Sequence, residues 1–193
     1  MKKVIIVHGW DGYPEEGWFP WLKKKLEAKG FAVAVPQLPD AGSPHIDKWV
    51  PALRKSVGVP DEETYFVGHS MGCQTIARYL EPLTRGVKIG GVVFVAGFFK
   101  RLTNLEYDAE VRAIVKEWFE APIDFEKIRS HIAQSVAIFS DDDPYVPLDS
   151  QDDFRDKLDS AIIIEHSKGH FSGPRDHIIE LPIVLEKVLE IAK

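Results

Sequence analysis

Six short runs, at residues 4–7, 31–35, 64–67, 91–96, 136–140 and 161–165, are rich in β-branched residues and almost continuously apolar. A strand reads this way when helices cover both of its faces and neither meets water. Helical patterns lie between them, at 18–29, 46–57, 71–80, 148–158 and 183–192. Pro182 suits the first turn of the last, where its missing N–H is no loss, and Gly30 is a natural stop for the first. Strand alternating with helix implies parallel pairing through right-handed crossovers. The expectation is therefore a single α/β domain over residues 1–193, with a mainly parallel sheet of about six strands flanked by helices on both faces. Residues 100–130 break the alternation. They read as a loop with one or two helices, an embellishment amounting to a minimal cap.

Charge and cysteine usage narrow the function classes. With 24 Lys+Arg against 30 Asp+Glu the chain carries a net charge of −6 and no basic block, which argues against nucleic acid as a partner. Cys73 stands alone, so neither an internal disulfide nor a multi-cysteine zinc site can form, and a reducing compartment is expected. The opening MKKVIIVHGW has too short an apolar run for a signal peptide, and the uncharged run 89–99 is far below the roughly 18 residues of a spanning helix. A soluble cytoplasmic protein without a membrane partner is expected.

The chemistry is concentrated in Gly68-His69-Ser70-Met71-Gly72, directly between a strand pattern and a helical one. A serine on such a strand-to-helix turn stands clear of the sheet, and the helix that follows points its N-terminal amides at any anion formed there. The plain alternative is a glycine-rich turn that packs a helix on a sheet. A serine hydroxyl is a weak nucleophile, and it needs a base that is itself oriented by an acid. Later strand ends supply both types in the required order. One runs into Asp141-Asp142-Asp143-Pro144-Tyr145-Val146-Pro147, the other into His166-Ser167-Lys168-Gly169-His170-Phe171. His8-Gly9-Trp10 follows the first strand, where the Trp10 amide, with the Met71 amide, could bind a developing oxyanion.

These segments together resemble the small serine hydrolases that include retinoblastoma-binding protein 9, a compact branch of the α/β-hydrolases. The likeness covers nearly the whole chain. It rests on VIIVHGW at the start, GHSMG, EWFEAPIDFEKI at 117–128, SDDDPYVP at 140–147 and GHF at 169–171. It implies the α/β-hydrolase fold with strand order 2-1-3-4-5-6, Ser70 as nucleophile, His170 as base and Asp143 as acid. Local features agree. Pro144 fixes the backbone after Asp143 and Val146 can anchor its loop, whereas His166 sits too early to swing over the sheet. The retinoblastoma partner does not follow, because the only cysteine lies in Met71-Gly72-Cys73-Gln74-Thr75 and not in an L-x-C-x-E motif.

The expected activity is cleavage of a small ester, or a small amide, through an acyl-enzyme, with no metal or organic cofactor. The alternative class is a protein-interaction module on a hydrolase scaffold. Cys73 reads as a buried thiol, and the aspartate run lacks the second acidic cluster of a magnesium site. His45, His69, His131 and His177 read as surface or structural, and Lys23, Lys24 and Lys25 as a solvated helix face. Trp118 and Phe119 belong either to the core or to the wall of a substrate pocket.

Overall fold

The computed structural model describes residues 1–105 and 108–193. Strands β1 (Lys3–Val7), β2 (Ala32–Ala34), β3 (Thr64–His69), β4 (Gly91–Val95), β5 (Ser135–Ser140) and β6 (Ala161–Glu165) form one sheet in the order β2-β1-β3-β4-β5-β6. Every pairing is parallel, in line with the almost uninterrupted apolarity of the runs. The helices are α1 (Phe19–Glu27), α2 (Ile46–Val57), α3 (Met71–Leu80), α4 (Ala109–Glu120), α5 (Phe125–His131), α6 (Gln151–Leu158), α7 (Gly173–Asp176) and α8 (Pro182–Ile191). The order and the layers are those expected, with two local differences. β2 is only three residues long, and a 3-10 turn at Leu148–Ser150 precedes α6 where one continuous helix was expected. Such tight turns commonly open helices.

Successive strand residues face opposite layers, and this alternation divides the core in two. Ile5, Val7, Phe66, Phe94 and Phe139 pack with Trp49, Ile76 and Phe154 from α2, α3 and α6. Val4, Ile6, Val67, Val95 and Ile138 pack with Phe19 and Leu22 of α1 and Val184 and Val188 of α8. Leu22 is fully buried, so its truncation to Ala would cost about 2–5 kcal/mol. The segment at 100–130 carries α4 and α5. Their entries are capped by Asp108, which accepts from Val111 N, and Asp124, which accepts from Lys127 N.

Chain order reverses beside β1, which pairs with β2 on one side and β3 on the other. In such sheets a crevice opens beyond the carboxyl ends of the strands at this switch point. Val7 lies level with Gly68, so His8-Gly9-Trp10 and His69-Ser70-Met71 leave the sheet side by side.

Candidate active site

Ser70 occupies the turn between β3 and α3 at φ +52°, ψ −123°, a conformation that side chains rarely adopt. Two bonds hold it there: Ser70 N–H donates to the Val95 carbonyl at 2.9 Å, and the Ser70 carbonyl accepts from Cys73 N at 3.0 Å. Close approaches explain two glycines. A Cβ on Gly72 would lie 2.7 Å from the His8 carbonyl oxygen, and one on Gly9 would lie 2.9 Å from Ser70 Cβ.

His170 lies over this turn. Its Nε2 is 2.9 Å from Ser70 Oγ and its Nδ1 is 2.8 Å from Asp143 Oδ2. Asp143 Oδ1 accepts from Tyr145 N at 2.8 Å and Val146 N at 3.0 Å, which turns Oδ2 toward the ring. A carboxylate only accepts, so Nδ1 carries the ring proton and the Nε2 lone pair is left facing the serine hydroxyl.

The His170 loop has no ladder of its own, and Ser167, Gly169 and Phe171 all have positive φ. Side chains hold it in place of secondary structure. Asp141 accepts from Ser167 N at 3.0 Å and His166 Nδ1 at 2.5 Å. Asp142 accepts from Ser140 Oγ at 2.6 Å and Gly169 N at 2.8 Å, and Asp176 accepts from His170 N and Ser172 N, each at 2.9 Å. These bonds depress the titration of Asp141, through His166 above all, and of Asp142, through Ser140 above all. The first two aspartates therefore tie down the histidine loop.

The Gly9–Trp10 peptide is held from its carbonyl side. Leu38 N–H donates to His8 Nε2 at 3.0 Å, so Nδ1 is the protonated nitrogen and donates to the Gly9 carbonyl at 2.8 Å. Gly12 N–H reaches the same carbonyl at 3.1 Å. Burial lowers the His8 pKa, keeping it neutral in this tautomer. Among the described residues no backbone carbonyl takes the Trp10 amide, and Met71, as the first residue of α3, has no acceptor within the helix.

A cavity of about 570 Å³ opens above Ser70. Its lining includes the apolar Phe98, Leu102, Leu105, Val111 and Ile114 and the polar Asp11, Tyr13, Glu16, Asp108, Glu110, Ser172 and Arg175. Burial raises the pKa of Glu16, and the backbone bond at Tyr13, then His170 nearby, offset part of that rise.

Trp118 does not line this cavity. Its Nε1 donates to the Pro44 carbonyl at 2.9 Å, its ring meets Trp49 edge-on, and it is buried in the core. Phe119 packs against Phe98. The reason is helical spacing: Val111, Ile114 and Trp118 share one stripe of α4, and only its first part reaches the rim. Cys73 is fully buried and burial pushes its thiol pKa up, so it stays protonated. Among the described residues, no three His, Cys, Asp or Glu side chains are placed to hold a metal ion. No described helix is long and apolar enough to cross a membrane.

Sequence reasoning missed several cavity residues. Tyr145 stacks edge-on against His170 at 5.3 Å, and the Arg175 guanidinium sits 4.7 Å from the Tyr145 ring centre. Only the closeness of Tyr145 to Asp143 could have signalled the first. Glu16 had no local signal, because its neighbour His170 is remote in sequence. His69, expected at the surface or in a structural role, lines the cavity and bonds to the His170 backbone.

A sequence profile described as Serine hydrolase matches residues 4–186. The putative hydrolase YdeN of Bacillus subtilis is 32% identical over 185 residues, covering 96% of this chain and 93% of YdeN. Its crystal structure has a TM-score of 0.89, at 31% identity, and covers 99% of this chain and 98% of that one. The rat serine hydrolase RBBP9 is 28% identical over 190 residues, covering 97% of this chain and 95% of its own. Est1E of Butyrivibrio proteoclasticus, solved with bound ferulic acid, is similar in fold, with a TM-score of 0.74 at 17% identity over 100% of this chain and 90% of its own.

Proposed function

Because the chain belongs to the serine hydrolase family, we propose that it cleaves a small carboxylic ester, or a small amide, through an acyl-enzyme on Ser70. The observation that carries this reading is the hydrogen-bonded line from Ser70 through His170 to Asp143, with Ser70 and His170 lining the cavity.

In this scheme His170 Nε2 takes the hydroxyl proton as Ser70 Oγ attacks the substrate carbonyl. Asp143 keeps the ring in the required tautomer and stabilises its cationic form. The Trp10 and Met71 amides bind the oxyanion of the tetrahedral intermediate, a role in which one lost donor typically costs about 10²–10³ in kcat. His170 then passes its proton to the leaving group, and water attacks the acyl-enzyme through the same steps in reverse. Every step uses this chain's own groups and water. The apolar side chains of Phe98, Leu102, Leu105, Val111 and Ile114 are suited to the acyl part of the substrate. A cytoplasmic site of action is part of the same reading, supported by the single cysteine.

The test is labelling by a fluorophosphonate probe together with hydrolysis of short p-nitrophenyl esters. Wild type should be labelled and active, and Ser70→Ala should be neither. A folded wild type that takes no label would overturn the enzyme reading in favour of a binding module. Efficient cleavage of long-chain triglyceride, with little activity on short esters, would overturn the small-substrate assignment.

A further inference from the structure

We propose that His69 is a positioning residue for this reaction, its Nε2–H holding the backbone carbonyl of His170 so that the imidazole stays between Ser70 and Asp143. The inference rests on the hydrolase reading above and adds a role to a residue outside the Ser70–His170–Asp143 line.

The contact is direct. His69 Nε2 lies 2.7 Å from the His170 carbonyl oxygen. A carbonyl only accepts, so Nε2 carries the proton. Trp18 and Phe19 pack edge-on against the His69 ring, each with ring centres 6.1 Å apart. Trp18 in turn donates its Nε1–H to the Phe171 carbonyl at 3.0 Å, so scaffold donors hold two consecutive carbonyls of the histidine loop. Phe171 has φ +56°, a conformation its own backbone does not favour, so the loop depends on such partners.

The position of His69 gives the bond its consequence. It is the residue before Ser70 and the last of β3, so the strand end that aims the nucleophile also aims its partner. The Ser70–His170 contact joins segments 100 residues apart, and His69 bridges those same segments directly. Displacement by a fraction of an ångström there misaligns proton transfer, and misplacements of about 1 Å can cost about 10² in rate.

Neutrality matters as well. Burial, and then the neighbouring His170, lower the His69 pKa to about 3. The two rings lie 5.0 Å apart, so a charged His69 would oppose the imidazolium that forms on His170. A neutral His69 donates its bond without adding that charge.

Three proteins test the proposal: wild type, His69→Phe, which keeps an aromatic ring but has no donor, and His69→Gln, whose amide N–H can reach the carbonyl. The expected result is that His69→Phe loses about 30- to 100-fold in kcat with KM within about threefold, and that His69→Gln recovers most of the loss. A folded His69→Phe within about threefold of wild-type kcat would overturn it. So would equal losses in folded Phe and Gln variants, which would indicate packing alone. If wild type itself takes no fluorophosphonate and cleaves no ester, the hydrolase reading has failed. The anchor is then judged by ¹H–¹⁵N spectra of the imidazoles. His170 ring signals that move in His69→Phe and return in His69→Gln support it, and signals unchanged in both overturn it.

Discussion

Two aspartate–histidine pairs connect the same two loops, and they differ in almost everything except chemistry. Asp141 and His166 meet at 2.5 Å with side chains 39% and 81% exposed. Asp143 and His170 meet at 2.8 Å with side chains 2% and 13% exposed. In the first pair, water competes for both groups and screens their attraction, which limits such a contact to a small effect. In the second, two backbone amides fix the carboxylate and the far nitrogen of the imidazole faces Ser70. An Asp–His bond is therefore not by itself a functional feature. The surroundings decide, by removing water and by placing a third group within reach.

Removing the buried pair should have the largest effect. His170→Ala should lower kcat by roughly 10⁴ or more and Asp143→Asn by roughly 10³–10⁴, measured as steady-state ester hydrolysis. Retention of activity in either variant would withdraw its assignment.

Acid should expose the next difference, through stability. Burial holds the His69 pKa near 3 and also lowers that of His8, whereas unfolded histidines titrate at about 6.5. Between these values the unfolded chain binds protons that the folded chain does not, so stability falls as pH drops from about 6.5 toward 3. For His69 alone the loss is about 2 kcal/mol between pH 6.5 and about pH 5. Denaturant titrations should show a flatter pH dependence in His69→Gln than in wild type. An identical slope would contradict a buried neutral His69.

Asp142 tests whether the middle carboxylate is a tether or the acid. Asp142→Asn leaves an oxygen able to accept from Gly169 N and Ser140 Oγ, so kcat should fall no more than about tenfold. Damage equal to that of Asp143→Asn would overturn the choice of Asp143.

The exposed pair should matter least. His166→Ala and Asp141→Asn should each keep kcat within about tenfold of wild type. Their small effect on Tm has a definite pH window. Asp141 raises the His166 pKa, so that stabilisation is present below the ordinary imidazole range and lost as pH rises through the raised value. The Asp141 pKa is lowered, so its share persists until acid conditions below the ordinary carboxylate range. Melting curves for His166→Ala and wild type should therefore separate by at most a few degrees near pH 5.5 and coincide near pH 8.5.

Local pattern made the fold legible. The apolar run at 64–67 sits inside β3, and the helical pattern at 71–80 coincides with α3, because covered strands and amphipathic helices write their burial into residue spacing. The strand order came from the resemblance, and the observed order agrees with it. Trp118 was harder to place. A large aromatic on an amphipathic helix reads the same whether its stripe ends at a cavity or continues into the core, and here it bonds to the Pro44 carbonyl, 74 residues away. The place of His69 beside Ser70 is a clue to its role, but nothing nearby in sequence reveals that its partner is the His170 backbone.

The layered parallel sheet, the turn that presents Ser70 and the supply of aspartates and histidines at later strand ends are all written in local residue pattern. Those properties arise from periodicity, glycine placement and chain order, all of which act over short stretches. The resemblance already pairs Asp143 with His170, and the geometry agrees; the residues that wall the cavity and the bonds that hold the His170 loop emerge only from the folded chain. These contacts cross 27 residues from Asp143 to His170 and 101 from His69 to the His170 carbonyl. They form only when parallel strands bring their carboxyl ends to one rim, and burial there sets which groups stay neutral and which bonds keep their geometry.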